Sequence, residues 1–594
     1  MSYINKIYNL CRVVCIVVLS MGMFQGCSDD NDVPYTTGIS NEDWTEINDA
    51  LIEGEILMFN FEAAAEWTAT SDAEWCEVLT PKGVSGTSTL RLKVVPNPTL
   101  KGRSASVTIS VEAAAEQVLL TIRQGEGDIE HGTGTYREVN KWVYEYMSEM
   151  YLWNENIPQL SLDFSIGYQN FLRSMLDGIA TFDNVNQEDG GVINGERIYF
   201  TELISNAPET RVVGSNYNDS GIMGMSGAKF DLAVGGMAVG LVVKVVAPNT
   251  EADKAGIKRG DFITQVNGIT ITESNYQSLA SNVFSGNVTV TVNDVTFDNG
   301  LATMTSRGDI WLGSSRYVDP AIYKASIVNT PSGKRAGYLL LMGFDINYDE
   351  QLIEVFKQFA DGGIDDLIID LRYNPGGMVL SSTVLGTLVA GAEHKDKVYM
   401  RTTYNSARMA TGESGEYLIG NAANPESEQG YENIAKALET ALGMKRVFVI
   451  TSGVTASASE LVINGLRGLG IEVNTIGQKT LGKNVGMEGI RKEFLRYSFT
   501  FYPITFYCEN ALGFRDYSDG FVPTLELDDA NYYPGDFATG SDYLSGAALL
   551  WIDKGSKPNL TRSLSESVVI QTLDVIGDRN VSRHMGGSII MREK

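Results

Sequence analysis

The chain has 594 residues, and 43% of them are apolar, which is enough to build several separate hydrophobic cores. At about 100 to 200 residues per domain, this length predicts about three to five domains. The 74 acidic residues outnumber the 46 basic ones and give a formal net charge of -28. Because no run of Lys or Arg supplies the basic groove that nucleic acids need, the composition excludes nucleic acid as a partner.

The first residues are typical of a bacterial export signal. Two basic residues, Lys6 and Arg12, accompany an apolar stretch at residues 13–24 that is too short to span a bilayer. The sequence Phe-Gln-Gly-Cys that ends at Cys27 resembles the lipobox of bacterial lipoproteins. The resemblance implies that residues 1–26 are a lipoprotein signal peptide and that Cys27 is lipidated. The alternative is an ordinary secretory signal in which this cysteine occurs by chance.

A polar acidic tether is predicted at residues 27–39, because Ser, Asp, Asp, Asn and Asp directly follow Cys27. This composition resembles the export signal of surface-displayed lipoproteins in Bacteroidetes. Together the two resemblances imply a cell-envelope lipoprotein that contacts the membrane through a lipid anchor. We expect it in the outer membrane, with its domains exposed at the surface.

A small β-sandwich is predicted at residues 40–125. Short runs of alternating apolar and polar residues, such as residues 106–111 and 118–122, are separated by Gly and Pro-Asn turns. The segment resembles the BACON module, and the resemblance rests on Trp67, Trp75, Arg103 and the closing Arg123-Gln124-Gly125. It implies glycans as partners that stack on the tryptophans, although a tryptophan in a small sandwich is more often part of the core.

Two amphipathic helices are predicted after a Gly-rich link. Apolar residues recur at helical spacing from Val139 to Met150, which indicates a helix at about residues 136–152, and again from Tyr168 to Met175. We predict that these helices form a small helical cap at residues 133–212.

A β-rich domain is predicted at residues 215–300. An apolar strand containing Leu241, Val242 and Val243 precedes a short helix that ends at Gly256, and a second strand is closed by an Asn-Gly turn. This order resembles the PDZ domains of bacterial processing proteases, which bind a peptide C-terminus as an added strand. The resemblance implies a peptide site next to Leu241, Val242 and Val243. The alternative is a small β-domain without a ligand.

Apolar runs alternate with helical segments from residue 320 onward, at residues 338–342, 352–359, 367–371 and 447–450. Such alternation predicts an α/β core with a largely parallel sheet at residues 320–530. Residues 531–594 are predicted to be a C-terminal extension of this core, with no assigned role. The predicted fold is therefore multidomain, with a β-sandwich, a helical cap, a PDZ-like domain and an α/β core.

Ser457 is the candidate nucleophile of the core. The apolar strand at residues 447–450 leads through a turn of small residues to the start of a helix, where backbone N–H groups have no helical partner. A serine at this position lies beside ready hydrogen-bond donors. Glu460 follows three residues later, so the same residues also form a capping box, which is a purely structural explanation.

Two further loops carry candidate site residues. The strand at residues 367–371 runs into an Asn-Pro-Gly-Gly turn, where Gly376 and Gly377 lack the side chains that would keep a substrate oxyanion away from backbone N–H groups. Lys483 lies in a glycine-flanked loop after another apolar segment. The alternatives are a simple strand-to-helix turn and a solvated surface lysine.

A serine nucleophile needs a neighbouring base. The three histidines, His131, His394 and His584, lie outside any motif, which leaves a lysine. At its usual pKa near 10.4, about one lysine in 2,500 is neutral at pH 7. Lowering the pKa by about three units makes nearly half available and costs roughly 4 kcal/mol, which burial can supply. We therefore predict that Lys483 is buried with its amine near Ser457.

Taken in chain order, the Asn-Pro-Gly-Gly loop, the serine turn and the lysine loop resemble the active-site motifs of the C-terminal processing (tail-specific) peptidases of family S41. With the cap and the PDZ-like domain, the resemblance covers residues 136–525. It implies a core of the ClpP/crotonase-like fold and the following roles: Ser457 as nucleophile, Lys483 as base, Glu460 as supporting carboxylate, and Ala458 with Gly376 or Gly377 as the oxyanion hole.

Two departures from the family pattern leave loop geometry and substrate preference open. Asn484 follows the lysine where the family commonly has glycine, and residues 453–455 replace its usual short Gly-Ser form. The resemblance implies a serine endopeptidase that cleaves proteins or peptides, recognised near their C-termini, without a metal or an organic cofactor. The alternative is a surface lipoprotein that binds glycans or peptide tails through an inactive core.

Overall fold

The computed structural model describes residues 46–593 except 51–54, 96–102, 113, 115–116, 125–128, 158–161, 165, 181–188, 194–195, 207–216, 422–427, 495–496, 531, 560–570 and 577–589. The chain divides into two compact units between Thr133 and Gly134. The predicted signal peptide, Cys27 and the acidic tether lie outside the described residues. No helix in the described part of the chain is long and apolar enough to cross a membrane.

The first unit is a β-sandwich, as predicted. Its strands are β1 (Glu46–Ala50), β2 (Glu55–Ala63), β3 (Trp67–Ser71), β4 (Cys76–Val78), β5 (Lys82–Gly83), β6 (Gly86–Val94), β7 (Arg103–Val111) and β8 (Val118–Gln124). One sheet has the order β1-β8-β7-β3-β5 and the other β2-β6-β4. Alternate residues of β7 and β8 are buried, because successive side chains of a strand point to opposite faces.

The two tryptophans of the sandwich differ in their surroundings. Trp67 is buried in the core, and its indole N–H donates to Ser88 Oγ at 2.9 Å. The Trp75 ring lies 4.3 Å from the Arg103 guanidinium, a cation–π contact. Trp67 is therefore a core residue, as a tryptophan in a small sandwich usually is. Of the two tryptophans, Trp75 remains the candidate for sugar stacking.

The elements that follow the sandwich are α1 (Ile129–Met150), whose first residues precede the unit boundary, α2 (Tyr168–Ala180), β9 (Gly190–Ile193), β10 (Glu196–Tyr199) and β11 (Glu202–Asn206). The β-rich region comprises β12 (Tyr217–Asp219), β13 (Ile222–Asp231), β14 (Met237–Val246), α3 (Glu251–Lys254), β15 (Phe262–Val266), β16 (Ile269–Thr270), α4 (Tyr276–Ser285), β17 (Val288–Asp298), β18 (Leu301–Leu312) and β19 (Ser315–Tyr317).

The core begins with β20 (Ile322–Asn329), β21 (Arg335–Leu341), α5 (Asp349–Gly362), β22 (Asp366–Asp370), α6 (Val379–Ala390), β23 (Val398–Tyr404), α7 (Ser406–Ala410), β24 (Glu416–Leu418), α8 (Glu428–Ala437) and β25 (Arg446–Thr451). It continues with α9 (Ala458–Gly468), β26 (Glu472–Gly477), β27 (Val485–Phe494), β28 (Tyr497–Tyr502), β29 (Ile504–Glu509), β30 (Leu525–Glu526), α10 (Tyr543–Lys554), β31 (Gln571–Ile576) and β32 (Ile590–Glu593).

The main sheet of the core has the order β20-β21-β22-β25-β26-β30. Only the β20–β21 pair among these neighbours is antiparallel, so the predicted, largely parallel sheet is confirmed. Its strands are apolar on both faces because helices cover both. Ile369 and Val449 belong to the core under α5, α6 and α9, whereas Ile368 and Phe448 belong to the core under α10.

The predicted helical cap is only partly helical. Helices α1 and α2 are present, and α1 spans Ile129–Met150 rather than residues 136–152. The helices share a hydrophobic core with the second sheet of the core, β11-β28-β27-β29-β23-β24. Strand β11 itself joins that sheet by pairing with β28. The region is thus an integral layer of the core, because its apolar helix faces have no other surface to cover.

The β-rich region forms a sheet of order β18-β17-β15-β14-β13-β31, which extends past the predicted boundary at residue 300 to Leu312. The predicted Asn-Gly turn is present: Asn267 and Gly268 both have positive φ, at 49° and 73°, as a two-residue hairpin requires. The extension at residues 531–594 contributes α10 to the core and β31 to this sheet.

The predicted peptide site next to Leu241, Val242 and Val243 is wrong. These residues are fully buried in β14, which pairs with β13 along its whole length and with β15 at Leu241 and Val242. An interior strand has no free N–H and C=O groups to which a peptide could add. The long apolar run in the sequence marks the middle of the sheet rather than its binding edge.

Candidate active site

Three loops meet at one edge of the main sheet. They follow the adjacent parallel strands β22, β25 and β26 and carry Gly376, Ser457 and Lys483, respectively. Because the carboxyl ends of parallel strands lie at the same edge, residues that are far apart in sequence converge there. The Thr451 hydroxyl donates to the Gln478 carbonyl at 2.8 Å, and Leu481 N–H donates to the Thr455 carbonyl at 2.9 Å. The serine and lysine loops are thus bonded directly to each other.

Ser457 has an unusual backbone conformation at the start of α9. Its φ of 61° lies in the left-handed region, which non-glycine residues rarely adopt. The residue is fully buried, and its hydroxyl makes no hydrogen bond with the part of the chain that the structure describes. Glu460 accepts the Ser457 N–H, so the two residues of the predicted capping box do come together at this helix start. Strain and an unsatisfied hydroxyl are costs that a purely structural cap would not carry.

The Glu460 carboxylate is the centre of the site. Its Oε1 accepts from the Thr480 hydroxyl at 2.6 Å and from Gly482 N–H at 2.8 Å. Its Oε2 accepts from the N–H groups of Ser457 at 3.0 Å and Lys483 at 2.7 Å. Burial raises the pKa of Glu460 to about 7, and the four hydrogen bonds oppose this increase.

The shared Glu460 oxygen sets an upper limit on the distance between the backbone nitrogens of the two predicted dyad residues. Because Ser457 N–H and Lys483 N–H donate to the same atom, their backbone nitrogens are no more than 5.7 Å apart. The structure therefore brings the two backbones together through a third residue. The sequence placed Glu460 beside the serine, but its contact with the lysine loop becomes visible only in the fold.

Lys483 is buried, with 3% of its surface exposed, as predicted. Its ammonium lies 4.7 Å from the centre of the Phe200 ring. Burial lowers the pKa of Lys483 to about 8, while the charges of Asp189, Glu202, Cys508 and Glu460 act in the opposite direction. At a pKa of about 8, roughly a tenth of the lysine is neutral at pH 7.

Asp189 and Glu202 are site residues that the sequence did not reveal. Asp189 is buried and accepts hydrogen bonds from the hydroxyls of Tyr151 at 2.6 Å and Thr201 at 2.7 Å. Burial raises its pKa to about 6, and the nearby Lys483 charge lowers it. Glu202 Oε2 is buried without a hydrogen-bond partner, and burial raises the pKa of this carboxyl too. No motif surrounds either residue, so only their position in the fold identifies them.

The glycine loop covers Ser457. Gly376 N–H donates to Asn374 Oδ1 at 2.9 Å and is therefore already engaged. Of the glycine pair, Gly377 is the better candidate for the oxyanion hole beside Ala458. The Ser459 hydroxyl donates to the Asn374 carbonyl at 2.9 Å and fastens this loop to α9. The Ser457 side chain is fully buried beside this loop.

Replacing Gly376 with Ala is expected to damage the site. The new Cβ would lie 2.6 Å from Ser457 Cβ and 2.9 Å from its Oγ, and the residue has a φ of 117° that disfavours any side chain. We expect a loss of roughly 1–3 kcal/mol of stability, measured by thermal unfolding, and a matching drop in peptide cleavage.

The matched control for this substitution is Gly453→Ala in the serine loop, where an added Cβ has no atom within 4 Å. This variant should melt and cleave like the parent. Equal behaviour of the two alanine variants would show that the contact between Gly376 and Ser457 is not tight.

Among the described side chains, Cys508 lies close enough to Lys483 to influence its pKa, whereas His394 is held by the backbone of other elements. Both ring nitrogens of His394 lie near backbone carbonyls, those of Ala390 at 3.0 Å and Leu469 at 3.2 Å, so this ring has a structural role. Cys76 and Cys508 are buried and free. Within the described ranges, no group of three or more His, Cys, Asp or Glu side chains is arranged to hold a metal ion.

Family models match four parts of the chain. The BACON model, described as an N-terminal binding domain, matches residues 65–125, and the peptidase S41 N-terminal domain matches residues 138–189. A PDZ domain model matches residues 242–294, and the model of peptidase family S41 matches residues 335–496. Residues 335–496 are therefore the part of the chain that is similar to peptidase family S41. This S41 region contains all three loops of the candidate site.

Two relatives of the S41 region have names that describe their activity. The chain is 25% identical over 248 residues to a carboxyl-terminal-processing protease of Picosynechococcus sp., covering 41% of this chain and 51% of that protein. It is 24% identical over 255 residues to the chloroplastic carboxyl-terminal-processing peptidase 1 of Arabidopsis thaliana, covering 43% of this chain and 46% of that protein. The chain therefore spans about half the length of these curated relatives.

A solved structure shares the fold of the second unit. It is a Bacteroides fragilis protein assigned to the S41 proteases, 24% identical to this chain, with a TM-score of 0.55. The match covers 70% of this chain and 97% of the other. The likeness extends well beyond the S41 region and establishes a common S41 protease fold.

Proposed function

We propose that the protein is a serine endopeptidase in which Ser457 is the nucleophile and Lys483 is the base. The observation that carries this proposal is the single Glu460 oxygen that accepts the N–H groups of both residues, with Lys483 buried beside it. Burial favours the neutral amine that a base requires. The similarity of residues 335–496 to family S41 and the names of the relatives support the same reaction class.

The proposed reaction starts when the glycine loop opens and a peptide carbonyl approaches Ser457. Neutral Lys483 accepts the Ser457 proton, and the oxygen attacks the carbonyl carbon. The N–H groups of Ala458 and Gly377 stabilise the resulting oxyanion. The protonated lysine then delivers its proton to the leaving amine, and water hydrolyses the acyl-enzyme by the same route.

The proposed substrates are proteins or peptides recognised near their C-termini, through the PDZ domain. This follows from the relatives' printed names and from the PDZ model at residues 242–294. We further propose the ClpP/crotonase-like description for the α/β core, which the parallel sheet with helices on both faces supports.

A lipid-anchored, outer-membrane location is proposed from the resemblance around Cys27. Glycan binding by the BACON region is proposed from Trp75, which lies partly exposed against Arg103. Both proposals concern where the peptidase works rather than its chemistry. The binding-only alternative would require that Ser457 be unreactive.

The test of the proposal is labelling by a fluorescent fluorophosphonate, a probe that reacts with activated serines. We expect labelling of the parent at Ser457 and none of Ser457→Ala. The rate should rise with pH, reach half of its maximum near pH 8 and level off about one unit higher, because the reactive form has neutral Lys483, whose pKa is about 8. Four groups near this amine raise its pKa and so lower the labelling rate at the acidic end of the pH profile. They are Asp189, Glu202, Cys508 and Glu460.

The labelling profile also distinguishes the two readings of the site. A parent protein that stays unlabelled at pH 9 would be an inactive binder. Labelling that is the same at pH 6 and pH 9 would show that no group with a pKa between these values activates the serine.

A further inference from the structure

Strand β31 occupies an edge of the PDZ sheet. Residues Gln571–Ile576 pair antiparallel with β13, with Met225 opposite Ile576 and Lys229 opposite Gln571. The other side of β13 is fully paired with β14. The segment that follows the core in sequence thus forms the sixth strand on the path of this sheet.

The edge that β31 covers has the shape of a peptide groove. It lies beside α4, which packs against β13 so closely that a Cβ on Gly227 would lie 2.6 Å from the Tyr276 ring. A sheet edge next to a helix, with an apolar floor, is the arrangement in which an extended peptide adds as a strand. Because β14 is an interior strand, β13 is the strand of this pair that can accept a ligand.

Leu573 anchors the added strand. Its side chain packs against the hydrophobic core that contains Met225, Tyr276 and Leu279. Two residues away, Gln571 is exposed. Between them, the Thr572 hydroxyl donates to the Ala530 carbonyl. Backbone pairing together with one buried apolar side chain is how a strand-adding ligand gains both affinity and specificity.

The same downstream region approaches the catalytic layer as well. Strand β32 pairs parallel with β27, with Ile590 opposite Met487. Strand β27 begins two residues after Lys483. Residues beyond 570 therefore add strands both to the PDZ sheet and to the sheet that continues from the lysine loop.

We propose that residues 571–576 are a built-in occupant of the groove between β13 and α4, which a substrate tail must displace. The proposal rests on the proposed function only for the identity of the competing ligand. It gives the region at residues 531–594 a regulatory role.

The expected size of the competition follows from tethering. A segment on the same chain acts at an effective concentration of about 1 mM. A free peptide whose intrinsic Kd is about 0.1 mM would then bind about tenfold more weakly while the segment is in place. Weakening the segment should restore that affinity without changing the groove.

The test measures binding of a fluorescein-labelled peptide with the sequence of residues 569–576 and a free carboxylate. The protein is the full chain with Ser457→Ala, so that a chain without any peptidase activity gives the same readout. One variant adds Leu573→Glu, which places a charge on the partly buried anchor. The matched control adds Gln571→Glu, which places the same charge on the exposed neighbour.

We expect the Leu573→Glu chain to bind the peptide about tenfold more tightly than the parent, and the Gln571→Glu chain to bind like the parent. A peptide that itself carries the Glu at the position of Leu573 should bind the Leu573→Glu chain at least about tenfold more weakly than the native peptide. Equal affinities of parent and Leu573→Glu chains, or absence of binding to all three, would overturn the proposal. Thermal unfolding of each variant verifies that it is folded.

Discussion

Replacing Ser457 with Ala is expected to abolish cleavage of unfolded protein, by at least about a thousandfold, while the fold stays intact. The hydroxyl has no hydrogen-bond partner in its buried position, so its removal breaks no contact. Removing an unsatisfied buried polar group relieves a cost of about 1–3 kcal/mol. The variant should therefore melt at the same temperature as the parent or slightly above it. Digestion of casein and thermal unfolding measure the two effects.

Ser381 offers the matched control, because it is also a buried serine but its hydroxyl donates to Asp349 Oδ1 at 2.5 Å. Ser381→Ala should lose stability, by roughly 1–3 kcal/mol, and keep cleaving. The opposite responses of the two variants would separate a chemical role from a structural one. If Ser457→Ala digests casein as fast as the parent, Ser457 is not the nucleophile.

Replacing Lys483 with Met is expected to lower kcat by about a hundredfold to ten-thousandfold, the usual contribution of a general base. Met retains the length and the apolar stem of the lysine, so the buried site stays filled. Lys483→Arg should be equally inactive, because a guanidinium keeps the charge but does not release its proton in proteins. Casein digestion and fluorophosphonate labelling both measure this loss.

Lys479 lies exposed in the same loop and gives the control substitution Lys479→Met, which should retain full activity. The Arg variant decides between two roles for the lysine. Activity in Lys483→Arg would mean that the positive charge, not the neutral amine, supports the reaction. Such a result would remove the lysine from the role of base.

The sequence predicted the core well because its signals are local. Buried parallel strands appear as continuous apolar runs, and the runs around residues 367–371 and 447–450 lie within β22 and β25. The burial of Lys483 was predicted from chemistry, since a base has to lose its charge in order to act. The resemblance to the S41 motifs brought the three loops together in advance, and the structure shows that each follows a strand of one parallel sheet.

Other parts of the site could not be predicted, because they depend on contacts between distant segments. Asp189 and Glu202 lie near Lys483 in the fold although almost 300 residues separate them in sequence, and neither belongs to a recognisable sequence motif. The peptide site was placed next to the apolar run of β14 by the resemblance to PDZ domains. Apolarity marks an interior strand, whereas the proposed binding edge β13 contains Gly224, Ser226 and Gly227 and gives a weaker signal.

The proposed role of residues 571–576 could not be predicted from the sequence either. Strand β31 has six residues and pairs with a strand more than 300 residues away in sequence. No local sequence pattern identifies such a distant pairing partner. Register and pairing are decided by the edge that is open in the folded sheet. For this reason the region appeared as an extension without a function.

The four hydrogen bonds of Glu460 tie the two loops of the proposed dyad to one side chain. Because this carboxylate holds the backbones of Ser457 and Lys483, local opening of either loop would separate the proposed nucleophile from its proposed base. A molecule that is partly unfolded at this edge of the sheet is then expected to be inactive rather than a protease of relaxed specificity.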